Sequence, residues 1–314
     1  MLAEHTHAAN PDIEFHIDPL WLDPVAGPEP YGWDVIHLNY HRGLHSRWTP
    51  EVLRAKVPPG TAVVITFHDT YEVQPDDLPQ NLLALDCVKA MVVHEPCDLE
   101  EFPKVHYWRQ ACPERSCCAP LPFNNQLEGW RPTLGTLGFD FPWKNYDRLA
   151  RVTGELGWNL RIVGQVTEER QAVLRELNPR IHFDGYVPTH MAVANLESCD
   201  ATAFLYDCAN SGTSAAIRLG IAAGRPLIAT AGCRQFRDLR ALDQAPAAEE
   251  PRLTGITWIE PTAKALDYVL SGWTMSMLPK YRGYDPALIA LAHRERWPLL
   301  GAKYAALYAE AIRG

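Results

Sequence analysis

The chain has 314 residues, of which 47% are hydrophobic and 21% charged, and its formal net charge is −9. This length suits two globular domains, at roughly 100–200 residues each. The negative net charge argues against tight non-specific binding to nucleic acid or to a membrane surface. Such binding would require a local basic groove.

The N-terminal residues lack the basic and then apolar pattern of a secretion signal, and no apolar run is long enough to span a membrane. We therefore expect a cytoplasmic protein without integral membrane association. The eight cysteines are interpreted as reduced thiols, because the chain is too long for a disulfide-stapled miniature fold. Cys112, Cys117 and Cys118 lie near His106, but no C-x-x-C pair accompanies them, so no metal site is predicted.

In the first half of the chain, residues 1–30 are polar and proline-rich and predict an irregular arm. Continuous β-branched apolar runs then predict strands that are covered on both faces, as in a parallel sheet. These strands are Asp34–Tyr40, Ala62–Phe67 and Ala90–His94. Helical segments fit between them at Pro50–Ala55 and Leu78–Val88.

The second half alternates strands and helices at regular spacing, which is the signature of a parallel βαβ sheet. The predicted strands are Leu134–Phe139, Leu160–Val163, Ile181–Phe183, Ala201–Leu205 and Pro226–Thr230. The predicted helices are Asn145–Leu156, Glu168–Leu177, Thr189–Glu197 and Ser214–Ala223, the last with Gly224 at its C-cap position. A final stretch, about Asp285–Ile312, is predicted as two helices meeting at Pro298.

Prolines between Pro113 and Pro132 indicate a domain boundary, with a linker near residues 119–132. We therefore predict an α/β fold with two Rossmann-like domains. The first domain is expected over residues 1–125 and the second over residues 126–285. Residues 286–314 are expected to form C-terminal helices.

The segment Asn210–Ser214 connects a predicted strand to a predicted helix. Here Gly212 lies among the hydroxyl residues Ser211, Thr213 and Ser214. Backbone N–H groups at such a turn converge on one point, and the helix N-terminus adds partial positive charge, so the segment predicts a phosphate site. The alternative is an ordinary N-cap, for which serine and threonine are also common.

The residues that follow, Ala216–Ile228, resemble the donor-domain motif of GT-B-fold retaining glycosyltransferases of the family-4 type. Other pieces resemble the same family in order and spacing: Gly135–Gly138, Trp143–Asn145, Arg161–Gly164 and His182–Val187. The resemblance is clear over roughly residues 130–235 and weak over residues 34–108. It implies that the second domain binds a nucleotide-sugar and that the first binds the acceptor. It also implies that the two domains face each other across a cleft and that the helices of residues 286–314 pack back on the first domain.

The resemblance also implies roles for individual donor-side residues. Lys144 would contact the donor diphosphate beside Gly138 and Gly164, while Tyr186 and Val187 would lie in the loop that holds the nucleobase. The family's two glutamates, eight positions apart, align with Ser211 and Leu219, and Phe139-Asp140 replaces a basic residue. Lys144 would then act alone or with Arg218, which is otherwise a solvated helix residue.

On the acceptor side, His68 and Asp69 follow directly on a predicted strand. A neutral imidazole at this edge can orient an acceptor hydroxyl, and the carboxylate can fix its tautomer. These two residues are the catalytic candidates, and the alternative is an ordinary loop histidine. Asn39, Tyr40 and His41 end another predicted strand and are the candidates for acceptor recognition.

The sequence thus predicts a glycosyltransferase that moves a sugar from a nucleotide-sugar, by default a UDP-sugar, to an acceptor hydroxyl. The resemblance implies retaining, metal-independent chemistry without a cofactor, because the donor phosphate itself can accept the acceptor proton. An Asp-x-Asp metal site, as in GT-A enzymes, is not predicted, since Asp76-Asp77 follows no good strand. The acceptor is left open among a glycan, a small molecule, a protein and modified DNA.

Two alternatives remain open. One is a viral-type DNA glycosyltransferase that acts on a hydroxymethylated base. It would use a basic groove built from Arg42, Arg47, Arg54, Lys56, Lys104 and Arg109. The other is a non-catalytic nucleotide-sugar-binding or scaffolding protein, which the absent glutamates and the short first domain would suit.

Overall fold

The computed structural model describes residues 2–15, 32–40, 49–68, 78–94, 102–115, 131–207, 213–244, 256–276 and 284–313. The chain divides into two compact units. The first consists of Met1–Gln110, Asn210–Thr213 and Trp297–Gly314, and the second of Ala111–Ala209 and Ser214–Arg296. This division falls at Gln110, ahead of the proline-rich segment in which the linker was expected.

The first unit contains a parallel sheet with strand order β1-β2-β3-β4. Its strands are β1 (Val35–Tyr40), β2 (Ala62–Phe67), β3 (Val88–Val93) and β4 (Val105–Tyr107). All six residues of β2 are buried, as expected for a central strand whose two faces are both covered. The three strands predicted from apolar runs are confirmed, and β4 was missed because it has only three residues.

Among its described residues, the first unit forms the helices α1 (Leu2–Ala9), α2 (Pro50–Lys56), α3 (Leu78–Leu83) and α11 (Trp297–Arg313). The prediction of an irregular N-terminal arm is wrong for residues Leu2–Ala9, which form α1. This helix packs on α11, where the His5 and Trp297 rings stack with their centroids 6.5 Å apart. Helix α3 ends before the predicted Val88, because Val88 is fully buried and pairs with Val63 at the start of β3.

The second unit contains a parallel sheet with strand order β10-β9-β8-β5-β6-β7. Its strands are β5 (Thr133–Leu137), β6 (Asn159–Val163), β7 (Ile181–Gly185), β8 (Ala201–Phe204), β9 (Leu227–Thr230) and β10 (Ile256–Ile259). The five predicted strands are confirmed to within about two residues, and β10 was not predicted. The chain therefore has the predicted α/β architecture with two parallel sheets.

The helices of the second unit are α4 (Tyr146–Glu155), α5 (Glu168–Leu177), α6 (Thr189–Glu197), α7 (Ala215–Ala223), α8 (Arg237–Gln244), α9 (Ala263–Ser276) and α10 (Pro286–Arg294). Gly224 caps α7 in the left-handed conformation, with φ 64°, as predicted. Helices α10 and α11 do not meet at Pro298 as predicted. The break lies at Glu295 and Arg296, and Pro298 lies in the first turn of α11, where its missing N–H costs nothing.

Cys87, Cys112 and Cys199 are free, whereas Cys233 is disulfide-bonded, so the expectation of uniformly reduced thiols is wrong for Cys233. Across the ranges that the structure describes, none of the helices is both long and apolar enough to cross a lipid bilayer.

Candidate functional site

Three glycine turns come together at the carboxyl ends of β5, β6 and β7. Gly138 N–H donates to Val163 O over 2.9 Å, and Gly164 forms a bridge with Gly185. Gly138 and Gly164 have φ of 132° and 143°, which favour glycine. A side chain on Gly164 would also collide with the carbonyl group of Gly138. The sequence therefore needs glycine at both predicted donor-site positions to keep this edge of the sheet compact.

Lys144 lies beside these turns, at the end of a short 3-10 turn, Pro142–Lys144. Asn145 follows in the left-handed conformation, and its side-chain amide donates to Leu205 O over 2.8 Å, which ties the turn to the end of β8. Lys144 is only 6% exposed. Its Nζ lies 5.3 Å from the ring centroid of Trp143 and 5.5 Å from that of Tyr206. The ammonium group is thus enclosed largely by aromatic surface.

The environment of Lys144 disfavours its positive charge. Burial lowers the pKa of Lys144 to about 8, and the Asp140 carboxylate opposes this shift only in part. Asp140 is itself paired with Arg170 at 3.0 Å. Within the described ranges, Lys144 Nζ makes no hydrogen bond or ion pair. A buried cation without an anionic partner is costly, so this position is suited to receive an anion.

The N-terminus of α7 carries two of the predicted phosphate-site hydroxyls. Ser214 is the N-cap residue, yet its side chain accepts no capping hydrogen bond. The first-turn N–H groups of α7 therefore have no side-chain cap and retain their preference for negative charge. Thr213 Oγ1 donates to the side-chain oxygen of Gln110 over 3.1 Å. Ser211 and Gly212 lie outside the described residues.

Tyr206 is a residue of this site that sequence reasoning missed. It follows β8, is 1% exposed, and packs its ring on Trp143 and Phe236, with centroid distances of 5.1 and 5.0 Å. Burial raises the pKa of Tyr206, and the nearby Ser214 side chain opposes this shift, although it is not placed in hydrogen-bonding geometry with the phenolic oxygen. The signal that was available is its place just beyond the carboxyl end of a predicted strand.

Arg218, on α7, is buried, so its interpretation as a solvated helix residue is wrong. It is 1% exposed and forms an ion pair with Asp238 of α8. Its guanidinium also contacts the thiol of Cys112, and burial raises the pKa of that thiol to about 11 while Arg218 opposes the shift. Arg218 thereby links α7 to α8, and its positive charge is paired with the Asp238 carboxylate.

A buried network holds the end of β7, just before the predicted nucleobase loop. Arg161 Nε donates to Asp184 over 2.8 Å, and both side chains are fully buried. Asn195 donates to the same carboxylate over 2.9 Å, and His182 Nε2 lies 2.8 Å from it. Burial alone would raise the pKa of Asp184, but its hydrogen bonds with His182 and Arg161 lower it. Beyond this anchor, Tyr186 is 81% exposed.

In the first unit, the acceptor-side candidates have different surroundings. His68 follows β2, donates its backbone N–H to Tyr40 O over 3.0 Å, and has its ring 5.4 Å from that of His94. Asn39 is exposed, whereas Tyr40 is 2% exposed and stacks on Phe67 in the core. Asp69 and His41 lie outside the described residues.

A polar network behind His68 was not predicted. His37 contacts Thr66 Oγ1 through Nε2 at 2.8 Å and Tyr308 Oη through Nδ1 at 2.6 Å, and Thr66 contacts Tyr304 Oη at 2.6 Å. Burial, followed by His68 and His94, lowers the pKa of His37 to about 3. The ring is therefore neutral at pH 7, with one nitrogen donating and the other accepting. Both tyrosines belong to α11, so this helix is bonded to β1 and β2.

The structure describes only some of the basic residues that were proposed to form a DNA-binding groove. Arg42 and Arg47 lie outside the described residues. Lys104 Nζ donates to Leu83 O over 3.1 Å and to Leu85 O over 3.4 Å. Lys104 thus caps the end of α3, and this contact gives it a role other than binding DNA phosphates.

Comparison with known proteins places this architecture among GT-B proteins. No protein-family model matches the sequence, and no curated protein matches it significantly. Sucrose-phosphate synthase from Thermosynechococcus elongatus superposes with a TM-score of 0.62 at 16% identity, covering 90% of this chain and 74% of that one. Anabaena HepE, in complex with UDP and glucose, gives 0.61 at 13% identity, covering 88% and 78%.

AviGT4, a glycosyltransferase involved in avilamycin A biosynthesis, gives a TM-score of 0.51 at 15% identity, covering 91% of this chain and 77% of that one. At such identities the similarity shows the fold. The predicted GT-B fold, with its two Rossmann-like parallel sheets, is confirmed.

Proposed function

We propose that the chain is a glycosyltransferase that moves a sugar from a nucleotide-sugar, preferably a UDP-sugar, to an acceptor hydroxyl. The observation that carries this proposal is the Lys144 ammonium, buried at the carboxyl edge of the second sheet without an anionic partner in the described ranges. Ligands of open α/β sheets bind at this edge. A diphosphate would supply the missing negative charge.

Leaving-group stabilisation is the main catalytic contribution that we assign to the second unit. Cleavage of the sugar–phosphate bond leaves negative charge on the nucleoside diphosphate, and donors fixed in advance around that charge lower the barrier. Lys144 and the uncapped N-terminus of α7 are such donors. In our proposal the reaction needs no metal ion and retains the anomeric configuration, with the donor phosphate accepting the proton of the acceptor hydroxyl.

On the acceptor side, we assign to His68 the orientation of the acceptor hydroxyl, with Asp69 beside it in sequence. Asn39 is the further acceptor-side candidate whose side chain is exposed. The solved structure of HepE contains UDP and glucose, and this supports a UDP-sugar as the first donor to test.

The proposal is tested by measuring the hydrolysis and binding of a panel of UDP-, ADP- and GDP-sugars by the purified chain. We expect turnover with at least one of them, most readily a UDP-sugar. Lys144→Ala should lower turnover about 100-fold or more, as loss of a transition-state donor typically does. Lys264→Ala, which removes an exposed lysine of α9, is the matched control and should keep wild-type turnover.

Two other results would redirect the assignment. Binding of a nucleotide-sugar without turnover, in the presence of a broad acceptor panel, would favour the non-catalytic alternative. Absence of both binding and turnover would refute the proposed donor site.

A further inference from the structure

Tyr206 has a buried hydroxyl group that the fold itself does not use. Its Oη is shielded from solvent and forms no hydrogen bond within the ranges that the structure describes. Buried polar groups are nearly always paired, so an unpaired one requires an explanation. Ring packing on Trp143 and Phe236 explains an aromatic residue here, but phenylalanine would pack equally well without burying a hydroxyl.

The hydroxyl is close to the other donors of the proposed site. The Tyr206 ring lies beside the Lys144 ammonium, and its hydroxyl is next to the side chain of Ser214. Ser214 begins α7, a helix of nine residues whose first turn has no side-chain cap. A phenol, an ammonium and a helix N-terminus thus occur together, and all three donate hydrogen bonds or favour negative charge.

The neighbouring carboxylates balance these donors only in part. Asp140 pairs with Arg170 at 3.0 Å, and Asp207 lies 3.5 Å from Arg148. Arg170 also forms a two-point pair with Asp147, so Asp140 has only a share of that guanidinium and still favours the charged form of Lys144. Lys144 nevertheless forms no ion pair in the described ranges, so the three donors remain complementary to a ligand that is rich in acceptor oxygens, such as a diphosphate.

We propose that Tyr206 is a further ligand-binding residue, whose phenolic hydroxyl donates a hydrogen bond to a phosphate oxygen of the bound nucleotide. This inference rests on the proposed function, since it requires that a nucleotide binds beside Lys144. Lys144 supplies charge to the same group of oxygens, while Tyr206 supplies a directed hydrogen bond. The hydroxyl, which has no partner among the described residues, thereby acquires one when the nucleotide binds.

The test compares the binding of UDP by titration calorimetry to the wild-type chain and to Tyr206→Phe, Lys144→Ala and Tyr304→Phe. Tyr206→Phe should weaken UDP binding about tenfold or more, as expected for a hydrogen bond to a charged group. Inorganic pyrophosphate, used as a competitor of UDP, should lose affinity for Tyr206→Phe by a similar factor, because the contact is made to phosphate.

Thermal unfolding without ligand separates this role from a structural one. Tyr206→Phe should unfold at the same temperature as the wild type or higher, because it removes an unpaired buried group. Tyr304→Phe is the matched control, since its hydroxyl is buried but bonded to Thr66. It should unfold at a lower temperature and bind UDP with wild-type affinity.

The possible failures are distinct. If Tyr206→Phe binds UDP as tightly as the wild type while Lys144→Ala binds it weakly, the role of Tyr206 is refuted and the proposed function stands. If Tyr206→Phe lowers the unfolding temperature and the affinity together, Tyr206 is structural and the inference is wrong. If the wild type binds none of UDP, ADP and GDP, both proposals fall.

Discussion

The Lys144 ammonium occupies the space in which a side chain at residue 138 would begin, so a Cβ added to Gly138 would collide with Nζ. The absence of a side chain at Gly138 is therefore what admits the lysine to its aromatic surroundings. This relationship makes Gly138 part of the proposed donor site even though it contributes no side chain.

Gly138→Ala should displace the Lys144 ammonium and lower donor turnover, though less than Lys144→Ala, because the flexible lysine side chain can shift and keep its charge near the site. A methyl group there would meet Nζ, and φ of 132° is strained for alanine. Gly60→Ala is the matched control, because Gly60 also has a positive φ, 86°, but open space around it. Turnover of the preferred nucleotide-sugar is the readout, and equal effects of the two variants would contradict a specific clash with Lys144.

Nucleotide binding should weaken as the pH rises through about 8. Burial lowers the pKa of Lys144 to about 8, so the ammonium loses its proton in a range where a normal lysine keeps it. UDP affinity, measured by calorimetry between pH 7.5 and 9.5, should fall by up to about tenfold per pH unit above 8.

Lys144→Arg provides the control for this titration, since arginine stays charged throughout the range. Its UDP affinity should be nearly independent of pH from 7.5 to 9.5. A pH profile of the arginine variant that matches the wild-type profile would show that another group is responsible.

The stability of the chain should fall between about pH 6.5 and pH 3 through His37. The pKa of His37 is about 3 in the folded chain and near 6.5 in the unfolded chain. Between these values the unfolded state binds a proton and the folded state does not, so lowering the pH stabilises the unfolded state. This effect is at most about 1.4 kcal/mol per pH unit. The unfolding midpoint of His37→Gln should depend less on pH than that of the wild type. His293→Gln, which changes an exposed histidine, should show the same pH dependence as the wild type.

Breaking the Arg161–Asp184 pair should be far more costly than breaking a surface pair. Asp184→Leu leaves a buried guanidinium uncompensated and should cost about 3–5 kcal/mol in chemical unfolding. The double variant with Arg161→Met should regain much of this loss. Asp147→Asn, at a half-exposed pair with Arg170, should cost less than about 1 kcal/mol, and a comparable loss would contradict the distinction.

The parallel strands could be predicted from sequence because their apolar runs are continuous and local. In β2, for example, the six buried residues are the six residues of the run Ala62–Phe67. Helix α1 could not be predicted in the same way, because its short polar sequence gains its stability from packing on α11. Contacts between residues that are distant in sequence leave no local sequence pattern from which an element can be predicted.

The candidate site likewise contains residues that the local sequence identifies and residues that only distant contacts identify. Gly138, Gly164 and Lys144 were identified because the segments that follow β5 and β6 resemble those of a known family. Tyr206 was missed although it directly follows a predicted strand, because its relevance depends on the ammonium of Lys144 and on the missing cap of α7. The burial of Arg218 was also out of reach, since it requires Asp238 from a helix that the sequence did not predict.

Helix α11 has a consequence for the order in which the chain can fold. The second unit is complete once Arg296 has been synthesised, but the first unit still lacks α11 at that point. Until then His37 and Thr66 have no access to the phenols of Tyr308 and Tyr304. The first unit is thus not encoded by one contiguous stretch of the gene. A fragment that stops at residue 110 would lack its final layer, whereas a circular permutant that joins α11 directly ahead of α1 would restore it.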